Sequence, residues 1–249
     1  MQQAVVTKRF CVQFPVVLKR GDVIMTAIPA TVQCTFYRDH NTFPQEDEQF
    51  RLVKKAGSKT ILCEKQLSDY YAIHEIVDAA EAGHVLTNDA PKLFDFFQIE
   101  IVDFPDNIPI EGNSLGVALA LAIIGCDRIP WGASIDAVKS YICTGDVTPK
   151  GAVEPIGDFM YKAKLAVDRN LILIAPKVNG EEDGPSLCSC GIPNGPAKNW
   201  IASVAQSLRV NSEVMLPAPP RIMFVSTVRE ALSAVECLEK RLCQQNKLR

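Results

Sequence analysis

Two side chains in this sequence are candidates for a nucleophile and its base. Ser114 stands in the stretch "IEGNSLGVALALAIIG" and Lys162 in "IGDFMYKAKLAV". A serine hydroxyl attacks poorly at neutral pH unless a base takes its proton. Histidine is the commonest base, yet His40, His74 and His84 stand in no recognisable triad setting. A lysine can do the same work only where an apolar site buries its ammonium and lowers its pKa. Ser114 opens a run of almost pure hydrocarbon, and a helix starting there would offer backbone N–H groups without intrahelical partners, suited to holding an oxyanion. Lys162 shares a face with Leu165 and Ala166 by the i, i+3, i+4 rule, whereas Lys164 faces elsewhere and is expected in solvent. Taken singly, such a serine is most often an N-cap and such a lysine a snorkelling surface residue.

The elements that would position the pair can be read from pattern. The first sixty residues are β-rich, with "RGD" at Arg20–Asp22 as the turn of a hairpin. Leu67 to Ala82 repeats apolar residues at helical spacing and ends before Gly83. "FFQIEIVDFP" reads as a strand and Gly116 to Gly125 as a helix hydrophobic all round, hence central to the core. "AVKSYICTGDVTPKGAVEPIG" fits strand, turn, strand. Phe159 to Asn170 is helical, and "LILIAP" reads as a buried strand. Lys177 to Pro220 is rich in Gly, Pro and Ser and is expected to be an insertion of exposed connections broken only by a helical "AKNWIASVAQSL". "RIMFVST" and the amphipathic "VREALSAVECLEKRLC" close the chain as strand and helix.

Composition narrows the classes. A net charge of −3 with no long basic cluster speaks against nucleic acid as a partner. No run of about 18 apolar residues points to a membrane span. The nine cysteines are an odd number, and "MQQAVVTKRFCVQF" lacks the apolar core of a signal peptide, so they are read as reduced thiols in the cytoplasm. Only Cys188 and Cys190 are close together, without a second pair at ligand spacing, and no metal site or cofactor is expected.

Two segments together carry a family resemblance. "EGNSLGVALALAIIG" is similar to the segment of the Lon protease proteolytic domain in which G-P-S-A-G opens a buried helix. "CTGDVTPKGAVEPIGDFMYKAKLAV" resembles that family's T-G-E-(x)4-G-x-V-x-P-I-G-G-(x)3-K, without a gap from Thr144 to Lys162. The likeness covers roughly Ile99 to Val235. It implies Ser114 as nucleophile, Lys162 as general base and Thr144 as the residue whose hydroxyl contacts the lysine amine, with the backbone at Asn113 and Leu115 near the oxyanion hole and cleft. Asn113 and Leu115 replace the family's proline and alanine, and Asp158 replaces the second glycine of P-I-G-G, where a capping role is expected. Glu111 and Asp146 match acidic positions of the family and receive no catalytic part.

The fold so implied is α+β, the two-layer Lon proteolytic-domain fold of the ribosomal protein S5 domain 2-like type. Residues 1–60 would form a β-rich N-terminal part integral to it, and residues 61–249 the Ser-Lys protease domain with an insertion at 177–220. No G-x-x-x-x-G-K-[ST] phosphate loop occurs, so the expectation is an ATP-independent serine endopeptidase acting on protein or peptide substrates, alone, as a homo-oligomer or beside a separate ATPase. The rival expectations are a Lon-like binding or assembly module without proteolysis, and a polyprotein-processing protease similar to those of birnaviruses, which share the dyad and fold.

Overall fold

The computed structural model describes residues 7–54, 60–65, 67, 73, 76–80, 96–105, 114–137, 140–210 and 216–247. β-branched and aromatic residues dominate the early part of the chain and pair into one sheet. β1 (Thr7–Arg20) and β2 (Val23–Tyr37) form a long antiparallel hairpin that turns at Gly21, where φ is 59°, a conformation that costs glycine nothing. β3 (Phe50–Lys54), β4 (Thr60–Glu64) and β5 (Phe96–Val102) extend the sheet beyond β2. Strict alternation in β5 turns Phe97, Ile99 and Ile101 to the core, as the period of two requires.

Helix α1 (Gly116–Arg128) has no polar face, so it must be surrounded. It lies against β1 and β2 and also meets later parts of the chain. The later elements are β6 (Ser134–Ile135), β7 (Tyr141–Cys143), β8 (Asp146–Val147), β9 (Val153–Glu154), α2 (Phe159–Asp168), β10 (Ile172–Pro176), α3 (Lys177–Ser189), β11 (Asn194–Pro196), α4 (Ala197–Val210), β12 (Ile222–Val225) and α5 (Val228–Lys247), of which β7, β8 and α5 pack on α1. β6 adds an edge to the first sheet, beside β1, and β8 pairs with β9 as a small hairpin.

The other four strands make a parallel sheet in the order β11-β12-β10-β7. Parallel strands joined by helices need apolar side chains on both faces, which is why "LILIAP" is a continuous hydrophobic run. Ile142, Leu173, Ala175 and Phe224 face α2 and α3, while Tyr141, Cys143, Ile174 and Met223 face the main core with α1, α4 and α5.

The mixed α+β class expected from the sequence is present, with helices on both faces of the parallel sheet rather than the two layers anticipated. Within Leu67 to Ala82, residues 73 and 76–80 are helical and buried apart from Asp78, Leu67 is not part of the helix, and the remainder lies outside the described residues. A second difference is larger. Residues 177–189, expected as exposed connections, form α3 despite Pro185, and Asn194–Pro196 is a strand of the sheet. Packing overrides propensity there: Leu187 is fully buried, and Gly180 lies so close to the Phe224 ring that a Cβ would stand 2.6 Å from it. Among the described residues no helix is long and apolar enough to cross a membrane.

Candidate active site

Ser114 sits in the turn that leads into α1, partly exposed. The residue at the cap position is Leu115, in right-handed helical backbone, and no side chain caps the helix, so Ser114 is not spent as an N-cap. Among the described residues its hydroxyl makes no hydrogen bond. Its carbonyl is held twice, by the Gly145 N–H at 3.0 Å and by the Thr144 hydroxyl at 3.1 Å. The Val117 N–H in turn donates to Gly145 O at 3.1 Å.

This lattice explains the glycines of both motifs. A Cβ on Gly116 would come within 3.0 Å of Gly145 O, and one on Gly145 would come within 2.7 Å of Val117 Cγ2. Gly145 also has φ of 152°, which side-chain-bearing residues rarely adopt. Two glycines therefore allow the strand end after β7 to lie against the first turn of α1. With the Val117 N–H taken, the donors beside the hydroxyl that meet no acceptor among the described residues are those of Ser114, Leu115 and Gly116. They are the groups open to an oxyanion. The Leu115 side chain is buried in the main core. Asn113 and Glu111 lie outside the described residues.

Thr144 is fully buried and continues the ladder of β7, its N–H donating to Ile174 O at 2.9 Å. Side chains alternate along a strand, so Thr144 shares the face of Ile142, the face on which α2 packs. The same residue thus reaches the serine peptide from the side of the lysine's helix. Its proton goes to the serine carbonyl, where the resemblance had the hydroxyl on the lysine amine; the oxygen lone pairs remain as acceptors for an amine.

Lys162 is on α2 and only 4% exposed. Among the described residues its amine makes no hydrogen bond. Burial is the main cause that brings its pKa down from 10.5 to about 8; the Asp158 carboxylate raises it and the Lys19 ammonium lowers it. Lys164, two residues on, is exposed. Both ordinary readings of the pair, N-cap serine and surface lysine, are therefore removed by geometry.

The start of α2 is built with care. Asn179 of α3, 3% exposed, closes two 3.0 Å hydrogen bonds on Ile156, accepting from its N–H and donating to its carbonyl, as a strand neighbour would. Asp158 follows with φ of 56°, the left-handed conformation in which glycine is at ease. It occupies the cap position but makes no side-chain cap; its carboxylate pairs with Lys19 of β1 at 2.7 Å. The expected capping role is thus replaced by an ion pair across elements. Asp146 accepts from its neighbour Val147 N–H at 2.8 Å, a turn interaction. Lys19 and Asn179 were not legible as site residues, because neither stands in a motif and both reach the site through tertiary packing.

Elsewhere, His40 stacks edge-on with Phe96 at 5.6 Å, and His74 and His84 lie outside the described residues. Cys188 and Cys190 are exposed, and no group of three metal-ligating side chains converges among the described residues. An apolar cavity of about 310 Å³ opens between α2 and the end of α3, lined by Met160, Val167, Leu187 and Ile192 among others; neither Ser114 nor Lys162 lines it. No protein-family model matches the chain, and no curated protein shows significant similarity to it.

Proposed function

We propose that this chain is a serine endopeptidase of the Lon proteolytic-domain type, working without ATP through a Ser114–Lys162 dyad. The observation that carries the reading is the state of Lys162: a buried amine without a hydrogen-bond partner among the described residues, brought down to a pKa of about 8. An amine so placed is a proton acceptor near neutral pH. Thr144 supports the pairing, since it holds the serine peptide while facing the lysine's helix. The left-handed backbone at Asp158, where the family has glycine, supports the match of the P-I-G segment.

In this mechanism neutral Lys162 takes the Ser114 proton as Oγ attacks the peptide carbonyl carbon. The carbonyl π electrons move to oxygen, and the free N–H groups at the start of α1 hold that charge. Collapse of the tetrahedral species breaks the C–N bond, and the lysine's ammonium protonates the leaving amine. Water, deprotonated by the again neutral lysine, then releases the acyl group and restores Ser114. The nine free cysteines fit a reducing, cytoplasmic setting for this chemistry.

Cleavage of casein with and without ATP, from about pH 6 to pH 10, tests the reading. Wild type is expected to cleave under both conditions, with Ser114→Ala and Lys162→Met inactive and folded. Activity retained in either variant sinks the dyad. A folded wild type that neither cleaves nor labels with a serine-reactive probe would leave the binding module in its place.

A further inference from the structure

Asp158 stands one helical turn before Lys162, the i, i+4 spacing at which a carboxylate and a lysine attract, with the acid on the favourable N-terminal side. A carboxylate placed there would draw a proton onto the amine and spoil it as a base. In the structure the carboxylate is turned to Lys19 instead, 2.7 Å away at the end of the β1–β2 hairpin. The side chains of this pair are 48% and 28% exposed, so as a surface ion pair it adds little to stability. Its consequence is local: it decides what charge the buried amine meets.

The other elements packed on α2 leave that decision to this pair. β2 and β10 carry no Asp, Glu, Lys, Arg or His. On β1, Lys8 is directed to Asp127 O at 2.8 Å and Arg9 to the Ser134 hydroxyl at 2.7 Å, at the far end of the hairpin from Lys19, and Arg20 beside Lys19 is exposed. On α3, Lys177 pairs with Glu181 at the surface, Glu182 is exposed and Asp183 half-buried. Lys164 and Asp168 of α2 itself are exposed. The charges that bear on Lys162 are Asp158 and Lys19, acting in opposite directions.

We propose that Lys19 is a positioning residue for the base: by holding the Asp158 carboxylate to the hairpin, it keeps that carboxylate off the Lys162 amine and leaves the amine free to accept a proton near neutral pH. This rests on the dyad reading for its catalytic meaning, while the electrostatic part stands on the geometry. Removing Lys19 deletes a nearby cation and frees an anion, and both changes hold the proton more tightly on Lys162. Removing the Asp158 charge deletes the anion and leaves the cation, and both release it.

The test is a carbon-13 lysine NMR titration of the whole chain, with the Lys162 resonance assigned by its loss in Lys162→Met, run beside the pH dependence of casein cleavage. Lys19→Met is expected to raise the Lys162 midpoint by about one pH unit, which lowers the neutral fraction at pH 7 about tenfold. Asp158→Asn, which keeps the left-handed backbone accessible, is expected to lower the midpoint, and Lys19→Arg to restore that of wild type. The cleavage profiles should move by the same amounts and reach the same plateau at high pH. A midpoint that stays in place or falls in Lys19→Met overturns the proposal, as does loss of the plateau with the midpoint unmoved. If the midpoints move as stated in a chain that never cleaves casein, the ion pair's role stands and the protease reading falls.

Discussion

The burial of Lys162 has a price in stability that function would explain. Its pKa is near 8 folded against 10.5 for an exposed lysine, so between those values the unfolded chain binds more protons than the folded one. Stability therefore rises with pH through that window, and below about pH 8 the fold carries the full penalty of charging a buried amine, about 3 kcal/mol. Lys162→Met is expected to be more stable than wild type by up to that amount at pH 7, while losing cleavage. Chemical denaturation at pH 7 and pH 10 checks this: the gap between the two proteins should narrow at the higher pH. The cleavage rate should rise with a midpoint near pH 8, and a profile rising instead near pH 6 would point to a histidine. Thr144→Val removes the hydroxyl that holds Ser114 O, with an expected loss of about 1 kcal/mol and a fall in kcat, both measurable beside Thr144→Ser, which keeps the bond.

Between elements, the close approach of the strand end after β7 to the start of α1 is the joint that places Ser114, the proposed nucleophile. Gly145→Ala introduces a methyl group 2.7 Å from Val117 Cγ2 and 2.9 Å from Val153 Cγ1, at a φ unsuited to alanine. A loss of about 3 kcal/mol is expected from overpacking and backbone strain together, seen as a lower denaturation midpoint. Cleavage should drop without a change in its pH midpoint, because the lysine's surroundings are untouched. Asn179→Ala leaves the Ile156 N–H and carbonyl without their partner, and a loss of about 2 kcal/mol is expected. Since Ile156 precedes the turn into α2, that variant should also loosen the lysine's helix, detectable as faster amide exchange at its first turn.

Across the whole molecule, the thiols differ in burial, with Cys237 half-buried between two groups. Cys11, Cys34, Cys63, Cys126 and Cys143 are inside, while Cys188, Cys190 and Cys243 are exposed. Burial pushes the Cys11 thiol up to about 11 and raises Cys34, Cys63 and Cys143 as well, so these are poor nucleophiles. A thiol reagent is expected to modify the exposed three in the native protein and the buried five only on unfolding. Cleavage should survive that modification, since the proposed nucleophile is a hydroxyl. Inactivation by the reagent under native conditions would move the chemistry to a cysteine.

The elements most legible in the sequence are those whose own pattern dictates burial. The all-apolar α1 could only be central, the alternating β5 could only be half-buried, and "LILIAP" read as a buried strand, because apolar area must leave water whatever the partner is. The motif glycines were visible too, though the reason for them, two backbones in contact, was not. α3 was hidden because Pro185 and its glycines argue against a helix locally, and only packing against the parallel sheet outweighs them. The burial of the Leu115 side chain in the main core was not legible, because the direction of a side chain at a turn depends on what lies behind it. The residue types and their spacing by themselves named Ser114 and Lys162 as candidates. The depth of the lysine, the partner of the Thr144 hydroxyl and the capture of Asp158 by Lys19 were decided by tertiary structure alone, because burial and charge depend on neighbours that lie far away along the chain.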